Sequence, residues 1–188
     1  GLRVVMPYSV SDARDLLIAS VLCKDPVIYI DDRWLYDQRD QLSEIQILDL
    51  KNETSKLICK GNNLTIVASG FSTKLAKDAI ENIQSNNTDE SIELIDLRII
   101  SPINFQPIIN SVSKTGKLIV IDGGWKTCGL CSEIISSVVE NIDPSLLKKS
   151  PINISLKDSP APTSTILEKE YYTNVEEIKC EIKKILDV

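Results

Sequence analysis

Short apolar runs alternate with longer amphipathic stretches along most of this chain, and the alternation predicts a parallel α/β sheet. Residues 92–97 (IELIDL) and 117–122 (KLIVID) are dense in Ile, Leu and Val, the composition of strands buried on both faces. Between them Asn104 is placed to cap a helix with Phe105, Ile108, Ile109 and Val112 along one face. Pro107 falls in its first turn, where a missing N–H costs little. Gly116 is expected to end that helix, and Gly123-Gly124 to turn the backbone sharply after the second strand. Upstream, a strand over 64–68 precedes a helix capped by Ser72 that buries Leu75, Ala76, Ala79, Ile80 and Ile83. Residues 84–91, rich in Asn, Ser and Asp, read as an exposed loop. Downstream, a helix from Gly129 carries Leu130, Ile134, Ile135, Val138, Val139 and Ile142, and a strand over 152–156 follows. After the proline-rich loop SPAPTST comes a last helix, with Thr173 and Glu176 spaced as a capping box. Val175, Ile178, Ile182, Ile185 and Leu186 form its stripe. The whole predicts a three-layer αβα sandwich around a mostly parallel sheet.

The first part of the chain is a smaller unit of the same kind. Arg3–Val5 and Val27–Ile30 read as strands joined by a helix capped at Ser11, with Ala13, Leu16, Leu17, Ser20 and Val21 inward. Two strands and one helix cannot cover both faces of their own sheet, so this unit is expected to be the end of a second α/β domain. The expected division is residues 1–36 for that unit, 37–62 for a polar connector and 63–188 for the sandwich. Within the connector, Leu57–Cys59 is a candidate edge strand before a turn at Gly61-Asn62.

With 188 residues, 43% hydrophobic composition and a net charge of −6, the chain reads as globular and acidic. Dispersed lysines on an acidic background argue against nucleic acid or an anionic membrane as partner. No apolar run approaches the ~20 residues of a membrane span. Five cysteines, an odd number without framework spacing, predict a reducing, cytoplasmic setting. In that setting the Asn-x-Ser/Thr sequons at Asn52, Asn63, Asn86 and Asn153 read as coincidence.

The strings DLRIISPINF, KTGKLIVIDGGW and GLCSEI, in this order and spacing, resemble the C-terminal domain of the beta subunit of thiamine diphosphate-dependent 2-oxo acid dehydrogenases. These are the pyruvate dehydrogenase type, related to transketolase. The resemblance runs from GLRVVMPYSV at the start to SPAPTSTILEKEYYTNVEEIKCEIKKIL at the end, and it matches roughly the C-terminal half of such a subunit. It implies an intact enzyme that uses thiamine diphosphate and magnesium. The implied partners are a second beta subunit, an alpha subunit and a dihydrolipoyl acyltransferase. This segment's implied part is assembly, with the cofactor-activating glutamate outside it and no catalytic or cofactor-binding residue within it. The pyruvate type carries Glu-Gly-Gly-Trp where this chain has Asp122-Gly123-Gly124-Trp125. A transketolase-type ketol transferase shares the same domains, and a stand-alone interaction module is the alternative from another class.

Three local features bear on chemistry, and the total lack of histidine removes His-based acids, bases and metal sites from all of them. Gly123, Gly124 and Gly129 lie between a strand end and a helix start, a place that suits an anion, although two glycines there ordinarily serve a turn. Cys128-Gly129-Leu130-Cys131 has the arrangement of a thioredoxin-like redox motif. Under the resemblance, however, these cysteines stand at packing sites. The resemblance also implies a potassium site at the end of the first helix. The carbonyls of Ser20 and Val21 and the side chain of Asp25 would be its ligands, with Cys23 standing where an aspartate is expected. Sulfur is a poor ligand for a hard cation, and Asp25-Pro26 can equally be a plain turn.

Overall fold

The computed structural model describes residues 1–85 and 90–187. The sequon at Asn86 and half of the loop expected at 84–91, residues 86–89, lie outside these residues. The elements run β1 (Arg3–Val5), α1 (Val10–Leu22), β2 (Val27–Tyr29), β3 (Lys56–Cys59), β4 (Leu64–Ala68), α2 (Phe71–Gln84), β5 (Ile92–Asp96), β6 (Ile99–Ser101), α3 (Gln106–Thr115), β7 (Leu118–Trp125), α4 (Leu130–Asn141), β8 (Ile152–Leu156), α5 (Thr165–Tyr171) and α6 (Val175–Leu186).

The larger sheet has the order β3-β5-β4-β7-β8, with β5, β4, β7 and β8 parallel and β3 antiparallel at the edge. Each strand pleats alternate side chains to opposite faces. Leu64, Ile66 and Ala68 of β4 join Ile119 and Ile121 of β7 beneath α2 and α6. Val67, Leu118 and Val120 point the other way, beneath α3 and α4. The result is the expected three-layer sandwich. Thr65 is a polar residue on an otherwise apolar strand, and its hydroxyl lies 2.7 Å from that of Ser111 and 2.8 Å from that of Thr115. This hydroxyl trio satisfies groups that would otherwise be buried without partners.

The smaller sheet has the order β2-β1-β6, with β1 and β2 parallel and β6 antiparallel to β1. Its third strand, absent from the sequence reading, comes from the turn after β5. Helix α1 covers one face, where Val5, Leu16, Ala19, Leu50 and Ile99 form a third core.

Several boundaries differ from those the sequence predicts. Helix α1 starts at Val10 with Ser9 as its cap, since the Ser9 hydroxyl accepts the Asp12 N–H at 3.2 Å. It turns Leu17 and Val21 to solvent, at 49% and 77% exposure, and buries Asp12 and Asp15 instead. The expected inward pair fails because the buried side of the helix is mixed, with Asp12 and Asp15 beside Leu16 and Ala19. Asp12 there accepts both Lys56 Nζ (3.1 Å) and Arg98 Nη1 (2.8 Å), and Arg98 also binds Glu53. Helix α2 is capped by Gly70 rather than Ser72, with Gly70 at φ +51. Helix α6 is capped by Asn174, whose side chain accepts the Glu177 N–H at 3.0 Å, so the Thr173–Glu176 capping box does not form. Asn104 behaves nearly as expected, accepting the Gln106 N–H at 3.1 Å beside the formal cap Phe105. The expected turn at Gly123-Gly124 is also overturned. β7 continues through both glycines to Trp125 and regains β8 at the Trp125–Leu156 pair after an irregularity in register. The proline-rich loop leads first into a short helix that the sequence does not predict, α5 from Thr165, and only then into α6.

Candidate functional site

The chain crosses from one side of β4 to the other between β5 and β7, so the C-terminal ends of β4 and β7 form a topological switch point. Open α/β sheets bind ligands in such a crevice. Here it widens into a cleft of about 930 Å³ between the two sheets. The larger sheet supplies the floor through Ser69, Asp122, Gly123, Gly124 and Leu156. The Ser69 hydroxyl donates to Asp122 Oδ1 at 3.2 Å, and the Gly124 N–H donates to Asp122 Oδ2 at 3.0 Å. Strand β7 thus holds one carboxylate at the cleft, in the stretch where the sequence predicts a turn.

The opposite wall comes from the segment after β2, with Ile30, Asp32 and Trp34. A single turn of 3-10 helix at Arg33–Leu35 starts from Asp32, whose Oδ1 accepts the Trp34 N–H at 3.1 Å. Its Oδ2 accepts the Phe71 N–H at 3.2 Å, so a carboxylate from the first unit caps α2 of the second. This explains how Gly70 serves as the formal cap without a side chain. Trp34 stacks on Phe71, with ring centroids 5.7 Å apart and planes at 22°. Its edge contact with Tyr172, at 5.9 Å and 61°, brings the end of α5 against the same cleft. None of the seven residues of α5 is buried, so this third wall is held, rather than by a core, by ring contacts and by the Tyr171 hydroxyl, which accepts from Trp125 Nε1 at 3.2 Å and donates to the Ser159 carbonyl at 2.8 Å.

A second group of interest is Asp96, fully buried at the end of β5. Its Oδ1 accepts from Thr73 Oγ1 at 2.9 Å, while Oδ2 has no hydrogen-bond partner. Burial pushes its carboxyl up to about 7, and the nearby Asp12 charge acts in the same direction. Tyr8 is pushed up to about 12, first by its burial and then by Asp96 and Asp12. These groups sit at the join between the two sheets.

The sequence-derived site residues are dispersed relative to the cleft. Ser20 donates its hydroxyl back to the Leu16 carbonyl at 2.6 Å. Ser20 and Val21 lie in the last turn of α1, whose final carbonyls the helix itself does not satisfy. Asp25 accepts from Arg3 Nε at 2.9 Å, and this lowers its carboxyl pKa, the Arg3 hydrogen bond being the main cause. A potassium ion at Ser20, Val21 and Asp25 would therefore compete with a guanidinium for the only carboxylate of the set. Among the described residues, no group of three His, Cys, Asp or Glu is arranged to hold a metal ion.

Cys128 is exposed with a left-handed backbone (φ 55), while Cys131 is buried. The Cys131 thiol donates to the Ile154 carbonyl at 3.8 Å, and burial pushes its pKa up to about 12. Such a thiol is a packing group rather than a nucleophile. Gly129 is required by proximity: an added Cβ would run into the Trp125 carbonyl oxygen. Neither Gly123 nor Gly124 adopts positive φ, and the Gly124 N–H is already given to Asp122. No anion cradle forms there. The cleft itself escaped the sequence reading, since its walls come from segments far apart in the chain. The one available signal was an aromatic cluster, Trp34, Phe71 and Tyr172, with no place on any helix stripe.

The five-stranded doubly wound sheet with its helices has the fold of the transketolase C-terminal domain, while the small unit formed by β1, α1 and β2 lies ahead of it. The sequence profile of the family described as Transketolase, C-terminal domain, matches residues 53–178, and this chain belongs to that family. Within it, the chain is similar to the pyruvate dehydrogenase E1 component subunit beta of Rickettsia bellii. The two are 35% identical over 186 residues, which cover 98% of this chain and 56% of that protein. The subunit of the same name from Rhizobium meliloti is 32% identical, over 98% of this chain and 40% of its own length. The chain thus spans about half the length of the curated relatives it matches. Among solved structures, a split-gene transketolase described as an inactive beta4 tetramer superimposes with a TM-score of 0.73. Its sequence identity is 16%, and the match covers 99% of this chain and 58% of that one. The profile begins at residue 53, ahead of β3, which pairs into the large sheet. No helix among the described residues is long and apolar enough to cross a membrane.

Proposed function

We propose that this chain is the C-terminal part of the beta subunit of a thiamine diphosphate-dependent 2-oxo acid dehydrogenase acting on pyruvate. The observation that carries the reading is the similarity to subunits of that name along 98% of the chain. In the intact enzyme the bound cofactor, with magnesium, would supply the carbanion chemistry that decarboxylates the 2-oxo acid. This chain's own contribution is assembly. It holds the end of one α/β unit (residues 1–36) against the sandwich (63–188) through the 37–62 connector. It also offers surfaces to an alpha subunit, to a second beta subunit and, near its C-terminus, to an acyltransferase.

Two features support the assembly role. The outer face of the small sheet and α1 leaves Leu17, Val21, Leu22 and Ile28 exposed, the kind of apolar surface that marks an interface. On α4, Ile134 and Val138 face the core while Val139 is 44% exposed, which makes it a candidate contact about a two-fold axis. A cytoplasmic setting accords with five cysteines of which none is paired. A potassium ion held by Ser20, Val21 and Asp25 belongs to the same reading. It requires Arg3 to yield Asp25, so potassium should bind more tightly after Arg3→Ala; indifference to potassium in that variant would remove the site from the proposal.

Reading the coding sequence upstream of Gly1 tests the function. A preceding domain with a cofactor-activating glutamate is expected, and a start codon immediately before Gly1 would overturn the reading in favour of a stand-alone module. Calorimetry gives a second check, with no thiamine diphosphate binding expected for this segment alone and a micromolar affinity counting against the division of labour. Sedimentation as a monomer at roughly tens of micromolar would refute the beta–beta contact.

A further inference from the structure

We propose that the cleft at the ends of β4 and β7 binds an organic cation, an ammonium or guanidinium group carried on an apolar body. The inference rests on the cleft alone and stands whether or not the dehydrogenase reading does.

The first argument is one of exclusion. A switch-point crevice ordinarily favours phosphate, because a helix N-terminus offers it free N–H groups. Here those groups on α2 are taken. The Phe71 N–H goes to the Asp32 carboxylate, the Ser72 N–H to the Ser69 carbonyl and the Thr73 N–H to the Gly70 carbonyl. An anion entering the cleft would meet Asp32 where it would otherwise bind. Asp122 and Glu168 also line the space, against the single basic residue Lys169. Among the described residues no Lys or Arg forms an ion pair with Asp32, Asp122 or Glu168. The balance of charge inside the cleft is negative and uncompensated.

The second argument is positive. Trp34 is 60% exposed, so part of its ring remains open to the cleft despite the Phe71 and Tyr172 contacts. An aromatic face beside carboxylates attracts a cation both through the ring quadrupole and by charge. Met6, Ile30, Leu75 and Leu156 supply apolar surface for the rest of the ligand. About 930 Å³ is the size of a small-molecule pocket, well beyond the needs of a bare ammonium ion. The wall made by α5 has no buried residue, so it can move aside without disturbing a core. A free amine and a Lys or Arg side chain of a bound segment share this chemistry.

Phenethylammonium, 2-phenylethanol and 3-phenylpropionate separate charge from shape. Each is titrated into the full chain while the Trp34 indole N–H resonance is followed by NMR, with Trp125→Phe used for assignment. The ammonium is expected to give a saturable shift that weakens with salt. The alcohol should bind at least ~fivefold more weakly and the carboxylate not at all. Glu168→Gln, on an exposed helix where folding is not at stake, should weaken the ammonium but leave the alcohol unchanged. Asp122→Asn, which keeps the shape of the side chain, should act the same way, for a combined loss of about tenfold. A blocked peptide with Arg between two leucines distinguishes the sources: tighter binding than the amine assigns the cleft to a partner's side chain, and weaker binding to a small molecule. The proposal fails if the carboxylate or the alcohol binds as well as the ammonium. It also fails if neither amine nor peptide gives a saturable shift by about 20 mM.

Discussion

The two sheets of this molecule are built from similar residues but stand in different relations to solvent. In the five-stranded sheet, every residue of β4 and β5 is buried, because α2 and α6 cover one face and α3 and α4 the other. In the three-stranded sheet only one face meets a helix. Ile28 on β2 and Leu17, Val21 and Leu22 on α1 remain exposed although they are as apolar as the core. The large sheet is covered on both faces, whereas the described residues cover the small one on a single face. The join between them combines ion pairs, in which Asp12 is held by Arg98 and Lys56, with the Trp34–Phe71 stack and the Asp32 cap on Phe71. An apolar stripe alone therefore does not say which side faces inward. What covers it does.

The comparison can be broken most forcefully at the centre of the large sheet. Ile66→Ala removes a fully buried side chain and should lower unfolding free energy by about 3–4 kcal/mol in urea denaturation. Ile28→Ala on the small sheet should cost no more than ~0.5 kcal/mol. Equal losses at the two sites would contradict the contrast.

The join comes next. Arg98→Ala leaves Asp12 buried with Lys56 as its one remaining cation, and should destabilise by about 3 kcal/mol. Proteolysis should then cut first between the sheets, in the exposed stretch 37–47. A variant as resistant as the parent chain would mean the ionic contacts do not hold the units together.

Asp96 gives the join a pH dependence. Its folded-state pKa of about 7 lies above the ordinary value of 3.8, so between those values the folded chain keeps a proton that the unfolded chain has lost. Stability from this group is thus fully present below about pH 4 and declines as pH rises to about 7. Asp96→Asn retains an acceptor for Thr73 and should stabilise the chain by roughly 2–3 kcal/mol at pH 8, with little effect near pH 4. A uniform effect at both pH values would remove the titration from the explanation. Smaller than the effects at Ile66, Arg98 and Asp96 is that of Cys128→Gly, which relieves a left-handed backbone at an exposed position. A gain of about 0.5–1 kcal/mol is expected in the same urea assay, and a loss would point to an unrecognised contact of the thiol.

Strand and helix periodicity determined the sandwich from the sequence, because buried parallel strands and amphipathic helices each carry a repeat set by backbone geometry alone. Leu64–Ala68, Ile92–Asp96, Ile152–Leu156 and the α6 stripe were legible for that reason. The cap of α1 was misplaced and its inward face misread because Ser9 and Ser11 are equivalent candidates locally. Contacts of Asp12 with Lys56 and Arg98, 44 and 86 residues away, draw that side of the helix inward. Strand β6 was missed because three residues carry too little periodicity, and its pairing with β1 spans almost the whole first half of the chain. Gly123-Gly124 reads as a turn in isolation, yet the strand passes through both and regains β8 at Trp125 after an irregularity in register. The cleft depends on tertiary structure most completely. Asp32 caps a helix that begins 39 residues later, and Trp34, Phe71 and Tyr172 meet only when three separate segments converge. Local sequence sets which elements form, through forces that act within a turn or a strand. Which carboxylates and rings face one another is decided by packing between distant segments, and no local pattern records it.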